Sequence, residues 1–197
     1  MTKDDLIAFE KEVARRFEDK LIPGPIHLSG GNEDQIIEIF RDIKPTDWVF
    51  STWRNHYHAL LHGIPPEKVM DRIMSGESMN MTFPEYNFFT SAIVGGILPI
   101  AVGVAYALRQ SDPDEPYRPI VHCFIGDMAE TTGICHECEQ FATSNGLPIR
   151  FIVEDNELSC NTPTLDAWGL DHYPITWGRY TYKRTVPHCG TGKWVTF

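Results

Sequence analysis

Residues 119–127 read Pro-Ile-Val-His-Cys-Phe-Ile-Gly-Asp, and residues 148–156 read Pro-Ile-Arg-Phe-Ile-Val-Glu-Asp-Asn. Each is a short apolar, β-branched run that stops at a polar turn, the pattern of a buried strand. Between them, residues 133–145 carry a helical pattern that ends near Asn145-Gly146, a favourable C-terminal cap. Strand, helix and strand in this short span make a βαβ unit, which implies a parallel sheet and a right-handed crossover. The fold class expected is therefore α/β, with a central parallel sheet flanked by helices.

Ligands of open parallel sheets bind outside the carboxyl ends of the strands. Gly126-Asp127 and Asp155-Asn156 fall at two such ends, and one βαβ unit holds both. Asp127 offers a carboxylate and Asn156 an amide oxygen, hard donors of the kind Mg2+ takes together with phosphate oxygens. The helix after Gly126 is expected to turn its N-terminal N–H groups toward the same place. Gly-Asp and Asp-Asn are also common in ordinary strand-end turns, so the pairs alone leave both readings open.

Working outward, Asp4–Phe17 and Asn32–Ile43 have helical apolar spacing, Asp47–Phe50 is strand-like, and Pro65–Met74 is a helix with prolines in its first turn. Residues 95–108 are rich in Gly and Ala and predict a helix that other backbone can approach closely, so it should be buried. Asp112–Pro116 reads as a surface turn, and Ile175–Arg184 and Lys193–Phe197 read as strand-like. Without an internal repeat or a clear linker, residues 1–197 read as a single domain. It has N-terminal helices over about 1–45 and an irregular tail over about 165–197.

Composition narrows the classes. Seventeen Lys and Arg against 27 Asp and Glu give a net charge of −10, which disfavours nucleic acid as a partner. No apolar run approaches the roughly 20 residues needed to span a bilayer, so no membrane role is expected. The N-terminus lacks the basic and apolar regions of a secretory signal. Five cysteines, an odd number, read as reduced thiols, and a cytoplasmic location is expected. Cys135-His-Glu-Cys138 reads as a helix face with two small thiols, zinc or redox chemistry being the alternative. His56, His58 and His62 lack a nearby Cys pair and do not read as a zinc site.

Four segments in the same order carry a resemblance. Gly126-Asp127 followed 29 residues later by Asn156 is similar to the thiamine diphosphate motif that begins Gly-Asp-Gly and ends in Asn. Residues 51–58, Ser-Thr-Trp-Arg-Asn-His-Tyr-His, residues 76–81, Gly-Glu-Ser-Met-Asn-Met, and residues 92–95, Ala-Ile-Val-Gly, resemble segments of the alpha subunit of 2-oxo acid dehydrogenase E1 components. The resemblance covers about residues 45–165 and implies a thiamine diphosphate-binding, transketolase-like fold. It implies that the Asp127 and Asn156 side chains and the Leu158 carbonyl bind Mg2+. It further implies that Trp53, Arg54, Gly126, Met128 and Ala129 hold the diphosphate and that Ala92 and Val94 meet the aminopyrimidine. His56 and His58 would lie near the thiazolium and substrate as catalytic residues, in a strand-end loop.

The activity implied is decarboxylation of a small 2-oxo acid with acyl transfer. A beta-type partner would supply the glutamate that activates the cofactor, in an α2β2 assembly. Transketolase-like transfer of a two-carbon ketol unit from a ketose is the alternative, as is a degenerate, noncatalytic scaffold subunit. Three residues depart from the family pattern: Met128 for the second Gly, Asp155 for the first Asn, and Asn80 for a common His. A Met at 128 is costly if the position needs positive φ and tolerable if it needs only an N–H. The tail, Thr-Tyr-Lys-Arg-Thr-Val-Pro-His onward from Thr181, is similar to the ending of shorter alpha-like subunits, and its His188 could stand in for a loop histidine.

Overall fold

The computed structural model describes residues 1–110, 118–169 and 178–193. Its sheet is built from β1 (Trp48–Ser51), β2 (Thr82–Phe83), β3 (Phe88–Thr90), β4 (Val121–Gly126), β5 (Ile149–Asp155) and a last strand, Gly178–Thr181. A small hairpin of β6 (Leu158–Ser159) and β7 (Thr162–Pro163) lies between, so the last strand is β8. The six-stranded order is β2-β3-β1-β4-β5-β8. Every pairing is parallel except β2 with β3 at the edge. The α/β class read from the βαβ unit therefore holds, with β4 and β5 adjacent and Gly126 opposite Glu154.

Both faces of the sheet are covered, which is why its strands read as unbroken apolar runs rather than alternating ones. On one face, Val49, Phe88, Phe124 and Ile152 join a core with α1 (Lys3–Glu18), α2 (Glu33–Phe40), α3 (His56–Leu61) and α4 (Pro66–Met74). On the other, Phe50, Cys123, Ile125, Phe151 and Val153 pack with α5 (Ile97–Gln110), the single turn α6 (Asp127–Glu130) and α7 (Gly133–Ser144). A short helix α8 (Thr164–Trp168) follows the hairpin. Cys135 and Cys138 are buried in this second core, as the small-thiol reading expected.

Two expectations need correction. α5 is not buried all round: Ile97, Leu98, Ala101, Val102 and Ala105 face the core, while Ile100, Gly103, Tyr106 and Ala107 are exposed. Small residues permit close approach on either side of a helix, and here only one side meets this chain. Second, the helix read at 133–145 is present as α7, but it is not the element that starts at the Gly126 end: a separate single turn, α6, begins at Asp127. The turn at 112–116 and the strand-like readings at 175–177 and 194–197 lie outside the described residues.

After β8 the chain runs back over the sheet end as a strap, residues 182–193. Thr185 N–H donates to the Gly30 carbonyl at 3.3 Å and Gly190 N–H to Ile26 at 2.9 Å. Gly31 has φ +98°, and a Cβ there would stand 2.1 Å from the Lys183 carbonyl, so the strap can seat only against a glycine. His27 adds a side-chain tie, its Nδ1–H donating to the His188 carbonyl at 2.7 Å.

Burial pulls the His27 imidazole down from its ordinary 6.5 to about 4. The unfolded chain therefore takes up this proton first. The neutral imidazole's contribution is fully present above pH 6.5 and is lost as pH falls toward 4. His27→Asn retains an N–H donor but does not titrate. Thermal denaturation of both forms from pH 7 to pH 4 is expected to show a steeper acid loss for the natural chain, by an amount on the order of 3 kcal/mol.

Candidate functional site

The carboxyl ends of β1, β4 and β5 and the strap after β8 open onto one cleft. The chain leaves β1 through Thr52, Trp53 and Arg54, all in its wall. β4 delivers Gly126 and α6 delivers Asp127, Met128 and Ala129; β5 delivers Glu154 and Asn156, and the hairpin delivers Leu158, Ser159 and Cys160. Val94 and Gly95 close the side next to α5, and Tyr182, Arg184 and His188 close it from the strap.

Negative charge is concentrated at the ends of β4 and β5, where Asp127 and Glu154 line the cleft and Glu130 and Asp155 are packed beside them, outside its lining. Asp127, Glu130, Glu154 and Asp155 are each less than a tenth exposed. Burial raises the Asp127 carboxyl, against a hydrogen bond donated by the Thr164 hydroxyl, and the neighbouring Asp155 pushes it the same way. Burial likewise raises Glu130, and one of its oxygens, Oε1, is buried with no hydrogen-bond partner among the described residues. Arg179 on β8 donates to both Glu130 and Asp155. The Asn156 amide donates to Tyr182 Oη at 3.0 Å while its Oδ1 accepts from Leu158 N–H at 3.0 Å. The next residue, Glu157, has φ +62° and Cys160 has φ +54°, left-handed positions that cost side-chain-bearing residues energy and are characteristic of sites held by their surroundings.

Positive charge lines the wall. Arg54 donates to the Leu28 carbonyl, and its second nitrogen to the His188 carbonyl at 3.2 Å. A guanidinium has five N–H donors, so anchoring to two carbonyls still leaves donors for an anion. Arg184 is anchored on the Cys160 carbonyl at 2.9 Å and Asn161 Oδ1 at 3.2 Å. Arginines and buried carboxylates lining one cleft offer donors to a phosphate and oxygens to a cation side by side. Among the described residues, no three His, Cys, Asp or Glu side chains converge as a metal cage. A divalent ion here would therefore depend on amide, carbonyl and phosphate oxygens.

The structure gathers Trp53, Arg54, Val94, Gly126, Asp127, Met128, Ala129, Asn156 and Leu158 in this wall. Ala92 stands just outside it, its N–H donating to Asn80 Oδ1 at 3.1 Å. His56 and His58 are displaced from the strand-end loop in which the sequence placed them. The loop closes at Asn55 and both histidines sit on α3, fully buried and outside the wall. His56 pairs with Glu10 at 3.0 Å and with Ser78 Oγ at 2.9 Å. His58 lies 3.3 Å from Glu154, behind the cleft. Met128 has an ordinary helical backbone and is absent from the positive-φ positions, so it carries no glycine-type strain.

Sequence reading missed Thr52, Gly95, Glu154, Ser159, Cys160, Tyr182 and Arg184 in the wall. Glu154 directly precedes Asp155-Asn156 and was within reach of the strand-end argument. Tyr182 and Arg184 were not, because nothing local says that the strap folds back across the sheet.

Residues 1–174 match the family model described as dehydrogenase E1 component. The chain is 31% identical over 193 residues to pyruvate dehydrogenase E1 component subunit alpha-3, chloroplastic, of Oryza sativa subsp. japonica, covering 89% of this chain and 43% of that protein. It is 30% identical over 180 residues to the pyruvate dehydrogenase E1 component subunit alpha of Porphyra purpurea, covering 80% of this chain and 52% of that one. For the same subunit of Rickettsia prowazekii (strain Madrid E) the values are 31% over 166 residues, 75% and 50%. The chain thus spans about half the length of these relatives. With its sheet order, its strand-end cleft and a match over residues 1–174 in agreement, the chain belongs to the dehydrogenase E1 component family, among relatives that are alpha subunits.

Proposed function

We propose that this chain is the alpha-type subunit of a thiamine diphosphate- and Mg2+-dependent enzyme that decarboxylates a small 2-oxo acid and passes on the acyl group. The observation that carries this reading is the cleft itself, which Arg54 and Arg184 line together with Asp127 and Asn156 at the ends of two adjacent parallel strands. The donor set fits the cofactor. Asp127, Asn156 Oδ1 and the Leu158 carbonyl offer hard oxygens for Mg2+. Arg54 and the Met128 and Ala129 N–H groups offer donors for a diphosphate. Beside the cleft lining, Glu130 and Asp155 share the one cation Arg179, and among the described residues Glu130 Oε1 has no hydrogen-bond partner, an excess of negative charge that a divalent ion nearby would relieve.

When bound, thiamine diphosphate supplies the carbon nucleophile and electron sink for breaking the bond beside a ketone carbonyl. The protein's share is placement. Arg54 is fixed by two backbone carbonyls, so it meets an anion without first losing side-chain freedom. Tyr182 fixes the Asn156 amide, and Thr164 fixes Asp127. His56 and His58 would act from behind, bracing the loop of Arg54 and the strand of Glu154 rather than touching substrate. The departures at 128 and 155 are both accommodated, by helical backbone and by Arg179, which favours a working site over a degenerate scaffold.

The chain would be completed by a beta-type partner. The exposed side of α5 supports this, with Ile93 73% and Ile100 52% exposed beside Val94 and Tyr106. The Tyr106 ring lies 6.0 Å from that of exposed Phe141 on α7, extending one apolar surface next to the cleft. Patches of this kind mark association sites. No helix among the described residues is long and apolar enough to cross a membrane. Free thiols throughout the described residues are compatible with a reducing compartment such as the cytoplasm.

Calorimetric titration of thiamine diphosphate with Mg2+ present tests the cofactor reading. Asp127→Ala is expected to weaken binding at least about tenfold while the empty fold keeps its stability, because burial already opposes that charge. Equal binding by variant and natural chain would point to a noncatalytic scaffold. Native mass spectrometry tests the partner reading. Ile100→Glu is expected to release the chain as a folded single species from the complex that the natural chain forms; retention of the partner would move the interface elsewhere.

A further inference from the structure

We propose that Arg179 is a positioning residue for the metal-binding edge of the cleft, an inference that rests on the cofactor reading above. Arg179 lies beyond the residues 1–174 that match the family model. It sits on β8, opposite Val153 of β5. Its two terminal nitrogens go to different carboxylates, Nη1 to Asp155 and Nη2 to Glu130. Glu130 ends α6, the turn that begins with Asp127. Asp155 ends β5 and is followed directly by Asn156. One planar fork therefore ties the element that carries Asp127 to the element that carries Asn156.

The pair explains a departure noted in the sequence. Asp155 stands where the family motif has Asn, and an extra carboxylate beside two others would repel the site apart. Here it meets a guanidinium that arrives from a strand outside the family match. The side chains of Glu130 and Asp155 are 2% and 7% exposed and that of Arg179 22%, so the contact is shielded from water and its geometry is held. A lysine carries its three donors on one nitrogen and lacks the planar fork that reaches the two carboxylates from separate atoms. The backbone supports the same join: Tyr182 N–H donates to the Asp155 carbonyl at 2.8 Å.

The test uses the full chain in its native complex. Mg2+ is titrated at fixed thiamine diphosphate, followed by the fluorescence of Trp53 in the cleft wall, and the thermal midpoint without cofactor is recorded alongside. Arg179→Gln is expected to weaken the apparent Mg2+ affinity about 10- to 100-fold, as loss of a residue that orients metal ligands does. Arg179→Lys keeps the charge and is expected to lose about tenfold. Wild-type affinity in both folded variants would overturn the proposal while leaving the cofactor reading intact. If Arg179→Gln does not fold, Arg179→Lys decides. If neither folds, the pair merely holds the structure together and the positioning role is overturned. Failure of the natural complex to bind the cofactor would overturn both readings.

Discussion

Four carboxylates, those of Asp127, Glu130, Glu154 and Asp155, are packed where β4 and β5 end. Withdrawing a carboxylate from water is expensive unless a cation or hydrogen bonds replace the solvent. Much of the remaining architecture answers that demand. β8 pairs with β5 and brings Arg179 to Glu130 and Asp155. Tyr180 on the same strand donates to Glu154. The strap then carries Tyr182 and Arg184 across the opening, and its seat on Gly30 and Gly31 draws the loop of Arg54 into contact with His188. Compensation by these groups is incomplete, since among the described residues Glu130 Oε1 has no hydrogen-bond partner.

The N-terminal helices belong to the same scheme. Glu10 on α1 accepts from Ser29 N–H at 2.7 Å and pairs with His56, which reaches Ser78. Glu33 accepts from Tyr57 Oη at 3.0 Å and from Gly31 N–H at 3.0 Å. These buried groups satisfy one another and fix both the segment that receives the strap and the helix that follows Arg54. The histidines of the Ser51–His58 segment are thus buried on α3, His56 within this network and His58 beside Glu154.

What could be read from sequence was what lies within one βαβ unit. The apolar runs at 119–125 and 148–154 identified two parallel strands, and their polar ends identified Asp127 and Asn156. Trp53 and Arg54 came from resemblance, not pattern, because a four-residue strand leaves little periodicity. His56 and His58 were misplaced because the apolar spacing after Asn55 is too short to announce a helix of six residues. The edge strand β2 and its neighbour β3, two and three residues long, were invisible for the same reason. Arg179 joins the site through the pairing of β8 with β5, and Tyr182 and Arg184 through the strap that follows β8, long-range events that local sequence does not encode.

The central claim is that Asp127, Asn156 and Leu158 hold one metal ion against a diphosphate anchored by Arg54. The most direct test is crystallography of the native complex grown with thiamine diphosphate and Mn2+ in place of Mg2+, using the anomalous signal of the metal. The expected result is a single manganese peak within bonding distance of the Asp127 carboxylate, Asn156 Oδ1 and the Leu158 carbonyl, with diphosphate density reaching Arg54. A bound cofactor whose metal peak lies elsewhere, or a cleft that stays without metal or cofactor at saturating concentrations of both, would contradict it.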